Sequence, residues 1–124
     1  MSTIVYDSGA LLAAEDGDER MWAIHKRVMA RGVQPVVPAT VIAEVWRGGA
    51  RQHRLGQFVQ SCDVERFSDQ SARAAGVLLS AAPHGVVDAS VVECALRRGS
   101  PCVTGNRSHL VDLAGARRIN IIDI

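Results

Sequence analysis

A three-layer α/β/α domain built on a parallel sheet of about five strands is the fold class the sequence predicts. Short apolar segments recur along the 124 residues, "TIVY" at 3–6, "PVVP" at 35–38, "PCVT" at 101–104 and "RINIIDI" at 118–124. Most of them lack the polar alternation of a strand with one wet face, and strands covered on both faces have this pattern. Between them lie stretches with the three- and four-residue apolar spacing of helices. Turn and cap residues separate the two kinds of segment.

In order, residues 3–6 read as a buried strand and Leu11–Ala14 as the start of a helix. "ERMWAIHKRVMARG" (19–32) is helical by the spacing of Met21, Ile24 and Val28, with Gly32 as its stop. Residues 35–38 form a short strand bracketed by prolines, and "ATVIAEVWR" (39–47) a helix broken at Gly48–Gly49 and resumed over 50–60. "CDVERF" (62–67) reads as a strand, with Ser68 capping the helix "DQSARAAGVLLSA". After the turn Pro83–Gly85 comes a helix over 86–99, closed by Arg97, Arg98 and Gly99. A strand at 101–104, a short helix at 107–114 and a last strand at 118–124 complete the chain. Length and the absence of linkers or repeats predict a single domain over residues 1–124.

The totals narrow the function. Fourteen Lys and Arg against 13 Asp and Glu give a net charge of +1, not the field of a strongly basic nucleic-acid binder. No apolar run approaches the roughly 18–20 residues of a membrane span, so no membrane partner is expected. The N-terminus has no basic segment leading into a secretion signal. Cys62, Cys94 and Cys102 form an odd set without CxxC spacing, which predicts free thiols and a cytoplasmic protein.

Chemistry-bearing residues gather where an open α/β sheet binds ligands, beyond the carboxyl ends of its strands. Asp7 stands at the exit of the first strand, either as a cap on the next helix or as a pocket wall. Glu44 lies on the helix after the second strand, among Ile42, Ala43, Val45 and Trp46, where a lone charge is expected to be costly without a partner. Asp88 occupies the first turn of the helix before the 101–104 strand, which itself exits into Thr104, Gly105 and Asn106. Taken together, these four segments predict one acidic pocket with Asp7 as a wall. Carboxylates so gathered repel unless a cation joins them, and hard oxygen donors select Mg²⁺ or Mn²⁺. Such an ion acidifies a bound water and neutralises charge on a phosphodiester. No GxGxxG or GxxxxGK[ST] is present, "DSG" lacks the second acid of a DxD nucleophile, and Lys26 is the single lysine.

The blocks "VYDSGALLA", "VVPATVIAEVWR", "GVVDASVVECA" and "CVTGNRSHLVDL", in this order and spacing, resemble the PIN domains, and among them the VapC ribonuclease toxins of bacterial toxin–antitoxin pairs. The resemblance covers essentially the whole chain. It implies a PIN-like parallel sheet, Mg²⁺-dependent endonucleolytic cleavage of RNA with Mn²⁺ as a substitute ion, a homodimer, and a small VapB-like antitoxin. It implies Asp7, Glu44 and Asp88 as catalytic acids, with Asp7 and Asp88 holding the metal. Thr104 and Asn106 are candidates for further site residues. The last block departs from the family pattern, with Asn106 at the first expected Asp and His109 at the second. That departure leaves an alternative, a PIN-fold RNA-binding or antitoxin-binding protein with weak or no nuclease activity.

Smaller features carry further expectations. Arg47, Arg51 and Arg54 are candidates to line one side of the pocket and meet RNA phosphates, against a reading as a solvated face. Trp22 and Trp46 are either core or part of a groove for an antitoxin helix. "RMWAIHKRVMA" is expected to offer apolar surface to a second copy of the chain. The four histidines share no metal-ligand spacing, and Cys94 reads as a small buried hydrophobe.

Overall fold

The fold is described by a computed structural model over residues 2–124. The elements run β1 (Thr3–Tyr6), α1 (Ser8–Glu15), α2 (Glu19–Ala30), β2 (Gln34–Pro38), α3 (Ala39–Val45), a 3₁₀ turn (Ala50–Gln52), α4 (His53–Gln60), β3 (Asp63–Glu65), α5 (Asp69–Leu79), α6 (Val86–Arg98), β4 (Cys102–Thr104), α7 (Arg107–Ala114) and β5 (Ile121–Asp123). All neighbouring strands pair in parallel, in the order β3-β2-β1-β4-β5. The chain therefore builds outward from β1 to β3, then crosses back to add β4 and β5 on the other side. The switch point lies between the carboxyl ends of β1 and β4.

The three central strands are apolar because helices cover both faces of the sheet. Ile4, Val5, Tyr6, Val36, Val37, Cys102 and Val103 are all buried. Leu11, Met21, Leu55 and Phe58, with Val91, Val92 and Leu110, complete the core. Helix α1 packs on α2, α3 and α4, and α6 on α5 and α7. Helix α3 touches both α1 and α6.

Local signals set most boundaries. Ser68 Oγ accepts from the Ser71 N–H and caps α5, while Gly99 closes α6 at φ 62°, a left-handed turn that favours glycine. Helix α1 starts at Ser8 and not at Leu11, because Asp7 is its cap. The last strand is shorter than the expected 118–124. It pairs residue for residue with β4, so the three residues of β4 limit the ladder to Ile121–Asp123. Arg97 and Arg98 do more than end α6. Arg97 Nη2 reaches Glu65 Oε2 at 2.5 Å and Arg98 Nη2 reaches Glu65 Oε1 at 2.7 Å, tying α6 to the end of β3.

Helix α2 departs from expectation. Met21, His25 and Val28 face the core, and Met29 is the large apolar side chain of this helix left exposed. The apolar residues of "RMWAIHKRVMA" are therefore mostly consumed by this chain's own core and offer little surface to a second copy. Trp22 joins that core. Its Nε1–H donates to the Ala14 carbonyl at 2.9 Å, and its ring meets Phe58 edge-on at 5.2 Å. Trp46, by contrast, is 42% exposed. His25 is a satisfied core histidine. Its Nδ1 lies 2.9 Å from Tyr6 Oη and its Nε2 2.8 Å from Ser61 Oγ, and burial lowers its pKa. Cys62, Cys94 and Cys102 are unpaired, and burial pushes the Cys94 thiol up to about 12.

Candidate active site

The adjacency of β1 and β4 brings two exits together. Asp7 follows β1, its N–H donating to the Val103 carbonyl of β4 at 3.2 Å. The carboxylate is 5% exposed and fully engaged on both oxygens. Oδ1 accepts from the Ala10 N–H at 2.9 Å, which caps α1, and Oδ2 accepts from the Thr104 hydroxyl. Thr104 Oγ1 in turn accepts from the Asn106 N–H at 2.8 Å. Asp7 is thus cap and pocket wall at once. Burial holds its pKa above the usual carboxylate range, against the pull of the Thr104 and Ala10 hydrogen bonds, and the charge of Asp88 adds to the rise. Gly9 allows the two exits to approach, since a Cβ there would stand 3.1 Å from Gly105 N and 3.3 Å from Asp7 Oδ1.

Around this corner lies a cleft of about 300 Å³. Asp7, Ser8 and Gly9 line it from the start of α1, Glu44 from α3, Val87, Asp88 and Val91 from α6, and Gly105 and Asn106 from the loop after β4. Asp88 sits in the first turn of α6, where the helix dipole favours a carboxylate. It is partly buried, with Oδ2 3.1 Å from His109 Nδ1. Glu44 departs from expectation. It is exposed on the outer edge of α3, facing solvent and the cleft, so its charge needs no partner. The apolar neighbours in sequence point elsewhere, with Val41 and Val45 taking the buried face.

A model of the PIN domain matches residues 4–115. The chain belongs to the PIN-domain family. No curated protein matches it in sequence. Among solved structures, it superposes on a chain of VapBC2 from Rickettsia felis, bound to a promoter DNA fragment, with a TM-score of 0.76 at 13% identity over 98% of both chains. A chain of DNA-bound VapBC from Salmonella typhimurium gives 0.71 at 20% identity, covering 99% of this chain and 98% of that one. A toxin–antitoxin complex from Klebsiella pneumoniae gives 0.71 at 16% identity, covering 96% and 95%. At these identities the likeness establishes the fold.

The donor set of this PIN domain fits a hard divalent cation. Three carboxylates and an amide face one cleft, and the Ser8 hydroxyl on its wall is buried with no hydrogen-bond partner among the described residues. Among those residues, no three His, Cys, Asp or Glu side chains already stand together as a coordination shell. Mg²⁺ asks for less than that, because it keeps several waters and is commonly held by one or two carboxylates.

Three expected residues, Arg47, Arg51 and Arg54, stand apart. Arg47 and Arg51 are exposed and do not line the cleft. The Arg47 guanidinium turns back onto the Trp46 carbonyl at 2.8 Å, and Arg54 onto the Glu15 carbonyl at 3.2 Å. The loop that carries Arg47 is pinned by the buried Gln52, whose Oε1 accepts from the Arg47 and Gly48 N–H groups at 2.7 and 2.9 Å. Sequence reasoning missed Ser8 and Gly9 as lining residues, and it missed His109 as a neighbour of Asp88. The signal for His109 was its place in the last block of the PIN pattern, three residues after Asn106. Its fellow histidine His84 also stacks on it, with ring centroids 4.3 Å apart.

Proposed function

We propose that this PIN domain is a Mg²⁺-dependent endoribonuclease, the toxin component of a VapBC-type toxin–antitoxin pair, hydrolysing RNA phosphodiester bonds. The observation that carries this reading is the convergence of Asp7, Glu44, Asp88 and Asn106 on one cleft at the switch point of the sheet. PIN domains are generally nucleases that use a divalent metal, and the solved structures of like fold belong to toxin–antitoxin complexes. The ion, Mg²⁺ with Mn²⁺ as a substitute, supplies charge neutralisation at the phosphodiester and an acidified water.

The protein's own residues do the rest. Asp7 and Asp88 are the ligands that hold the cation, and Glu44 completes the acidic wall from the exposed side. Either Asp7 or Asp88 orients the attacking water in this reading, and Thr104 and Ala10 keep the Asp7 carboxylate in one orientation. Arg47 and Arg51, outside the cleft, are placed in this reading against phosphates that flank the scissile bond, where each contact adds salt-dependent affinity. The natural partners are an RNA substrate, a VapB-like antitoxin and a second copy of the chain, at work in the cytoplasm. No helix among the described residues is long and apolar enough to cross a membrane.

A second reading has its own observation. Asn106 stands where the family pattern carries an acid, which favours an RNA-binding or antitoxin-binding protein with weak or no nuclease activity. One experiment separates the two: cleavage of a structured RNA in Mg²⁺ and in Mn²⁺ by wild type and by Asp7→Asn. The nuclease reading expects products from wild type alone. Equal products from both proteins would mean a contaminating nuclease and would sink the enzyme reading.

A further inference from the structure

His109 sets a ring nitrogen beside the acidic cleft, and its surroundings are contradictory as hydrogen bonding. Nδ1 lies 3.1 Å from Asp88 Oδ2 and 2.6 Å from the Asn106 side-chain nitrogen. A ring nitrogen carries either a proton or a lone pair. With a proton it serves Asp88 and confronts the amide N–H. With a lone pair it accepts from the amide and confronts the carboxylate. Turning the amide over brings the Asn106 carbonyl oxygen to the same place, and three lone-pair atoms then converge from α6, α7 and the loop between β4 and α7. A cation satisfies all three.

The spacing suits that occupant. Two donors about 2.1 Å from one ion and a right angle apart stand about 3.0 Å from each other, close to the 3.1 Å between His109 Nδ1 and Asp88 Oδ2, while the 2.6 Å between His109 Nδ1 and the Asn106 amide opens by a few tenths of an ångström to match. The ring is also held in place. It stacks on His84 at an interplanar angle of 27°, and His84 Nε2 is anchored by Asp112 Oδ2 at 3.1 Å. The unpartnered Ser8 hydroxyl lines the cleft that Asp88 and Asn106 share.

We propose that His109 is a nitrogen ligand of this site, sharing one ion with Asp88 and the Asn106 amide oxygen, and that it biases the site from Mg²⁺ toward Mn²⁺ and kindred transition ions. The inference rests on the nuclease-site reading above and adds to it which residue chooses the metal. Carboxylate and carbonyl oxygens suit Mg²⁺ and Mn²⁺ alike, whereas imidazole suits the transition ions and gives Mg²⁺ little. The competing account is a protonated ring that shares its single proton between two oxygens, and it puts no nitrogen on a bound ion.

Mn²⁺ added to the metal-free full-length chain tests this by pulsed electron paramagnetic resonance, which reads nitrogen bound directly to the ion. The expected result is a ¹⁴N modulation in wild type that converts to the ¹⁵N pattern when histidine is ¹⁵N-labelled. It should be lost in His109→Asp, which still binds Mn²⁺ but no longer prefers it over Mg²⁺ in competition. Should His109→Asp fail to fold, His109→Gln takes its place in the same measurement, and His84→Gln, which should keep the coupling, excludes the neighbouring ring. Bound Mn²⁺ without nitrogen coupling, or coupling that survives in a folded His109→Asp, overturns the role of His109 and leaves the nuclease reading standing. Failure of wild type to bind Mn²⁺ at all overturns both.

Discussion

Asp7 holds a structural and a chemical role in one side chain, and two substitutions separate them. Asp7→Ala removes the cap on α1, at a cost of about 1 kcal/mol. It also takes the acceptor from the Thr104 hydroxyl, which is fully buried, at about 1–3 kcal/mol. Relief of a buried charge offsets part of this, since burial and Asp88 both disfavour the ionised form. The net expectation is a loss of about 2 kcal/mol, or roughly 8 °C in melting temperature for a domain of this size. Asp7→Asn keeps the cap, because asparagine caps as well as aspartate, and it removes the charge. Its amide nitrogen leaves the Thr104 proton without an acceptor, while the loss of a desolvated charge compensates. Its stability should stay within about 1 kcal/mol of wild type. The folded pKa of Asp7 is raised, so wild type loses stability as pH climbs from 3.8 through that raised value, and the Asn variant gains on it over the same range. Both variants should lose Mg²⁺-dependent cleavage by about a hundred-fold or more. The assay is thermal unfolding in chelator beside RNA cleavage in Mg²⁺. If Asp7→Asn melts as low as Asp7→Ala, the negative charge itself is structural and the division of roles fails. If it cleaves like wild type, Asp7 lies outside the chemistry.

Three further outcomes follow from the same geometry. Glu44→Gln should abolish cleavage while apo stability stays within about 0.5 kcal/mol, because Glu44 is exposed; a large fall in melting temperature would reveal a structural partner. Asn106→Asp should lower the Mg²⁺ needed for half-maximal activity about ten-fold, taking one to two kcal/mol as the net of roughly 4 kcal/mol of gross attraction at 4 Å. Identical titrations would put position 106 outside the coordination shell. His25 is buried with a lowered pKa, so its contribution to stability is present above 6.5 and is lost as pH falls from there through the folded value. Denaturant midpoints between pH 7.5 and 5 should show that slope in wild type and a shallower one in His25→Gln, and equal slopes would assign the loss to other groups.

Much of the fold was legible because the signals that set it are local. Ser68 and Gly99 mark helix ends by their own side-chain chemistry, and the apolar strands mark a sheet covered on both faces. Two acids of the cleft were legible for a related reason, since Asp7 follows directly on a strand and Asp88 sits in the first turn of a helix, while Glu44 lies near the end of the helix after the second strand. What escaped was tertiary. Glu44 among apolar neighbours suggested a buried charge, yet rotation of α3 buries Val41 and Val45 and leaves Glu44 in solvent. Met21 and Val28 suggested a dimer surface, yet α2 turns them into its own core. Arg47 and Arg51 needed the path of the Gly48–Gly49 loop, which the distant contacts of Gln52 decide. His109 met Asp88 only through the packing of α7 on α6, a contact that no spacing rule contains.

The site joins a rigid half to a adjustable half, and the fold shows why the acids stay together without a cation. Mutual repulsion would drive Asp7, Asp88 and Glu44 apart, so their supports must lie outside the charges themselves. Asp7 is held from the sheet side, by its own backbone bond to β4 and by Thr104. Asp88 and Glu44 ride on separate helices, and a hydroxyl pair joins those helices. Thr40 Oγ1 on α3 lies 2.5 Å from Ser90 Oγ on α6, and Ser90 donates to the Val87 carbonyl at 2.6 Å, so Thr40 is the donor to Ser90. That strut is neutral and partly buried, so salt does not screen it and a bound ion does not compete for it. Glu44, four residues along α3 from Thr40, keeps its exposure and its freedom to turn, whereas Asp7 keeps neither. A cation arriving at the cleft would therefore meet one fixed carboxylate on the sheet, one on a braced helix and one exposed acid with no hydrogen bond of its own among the described residues, an order in which each donor is less constrained than the last.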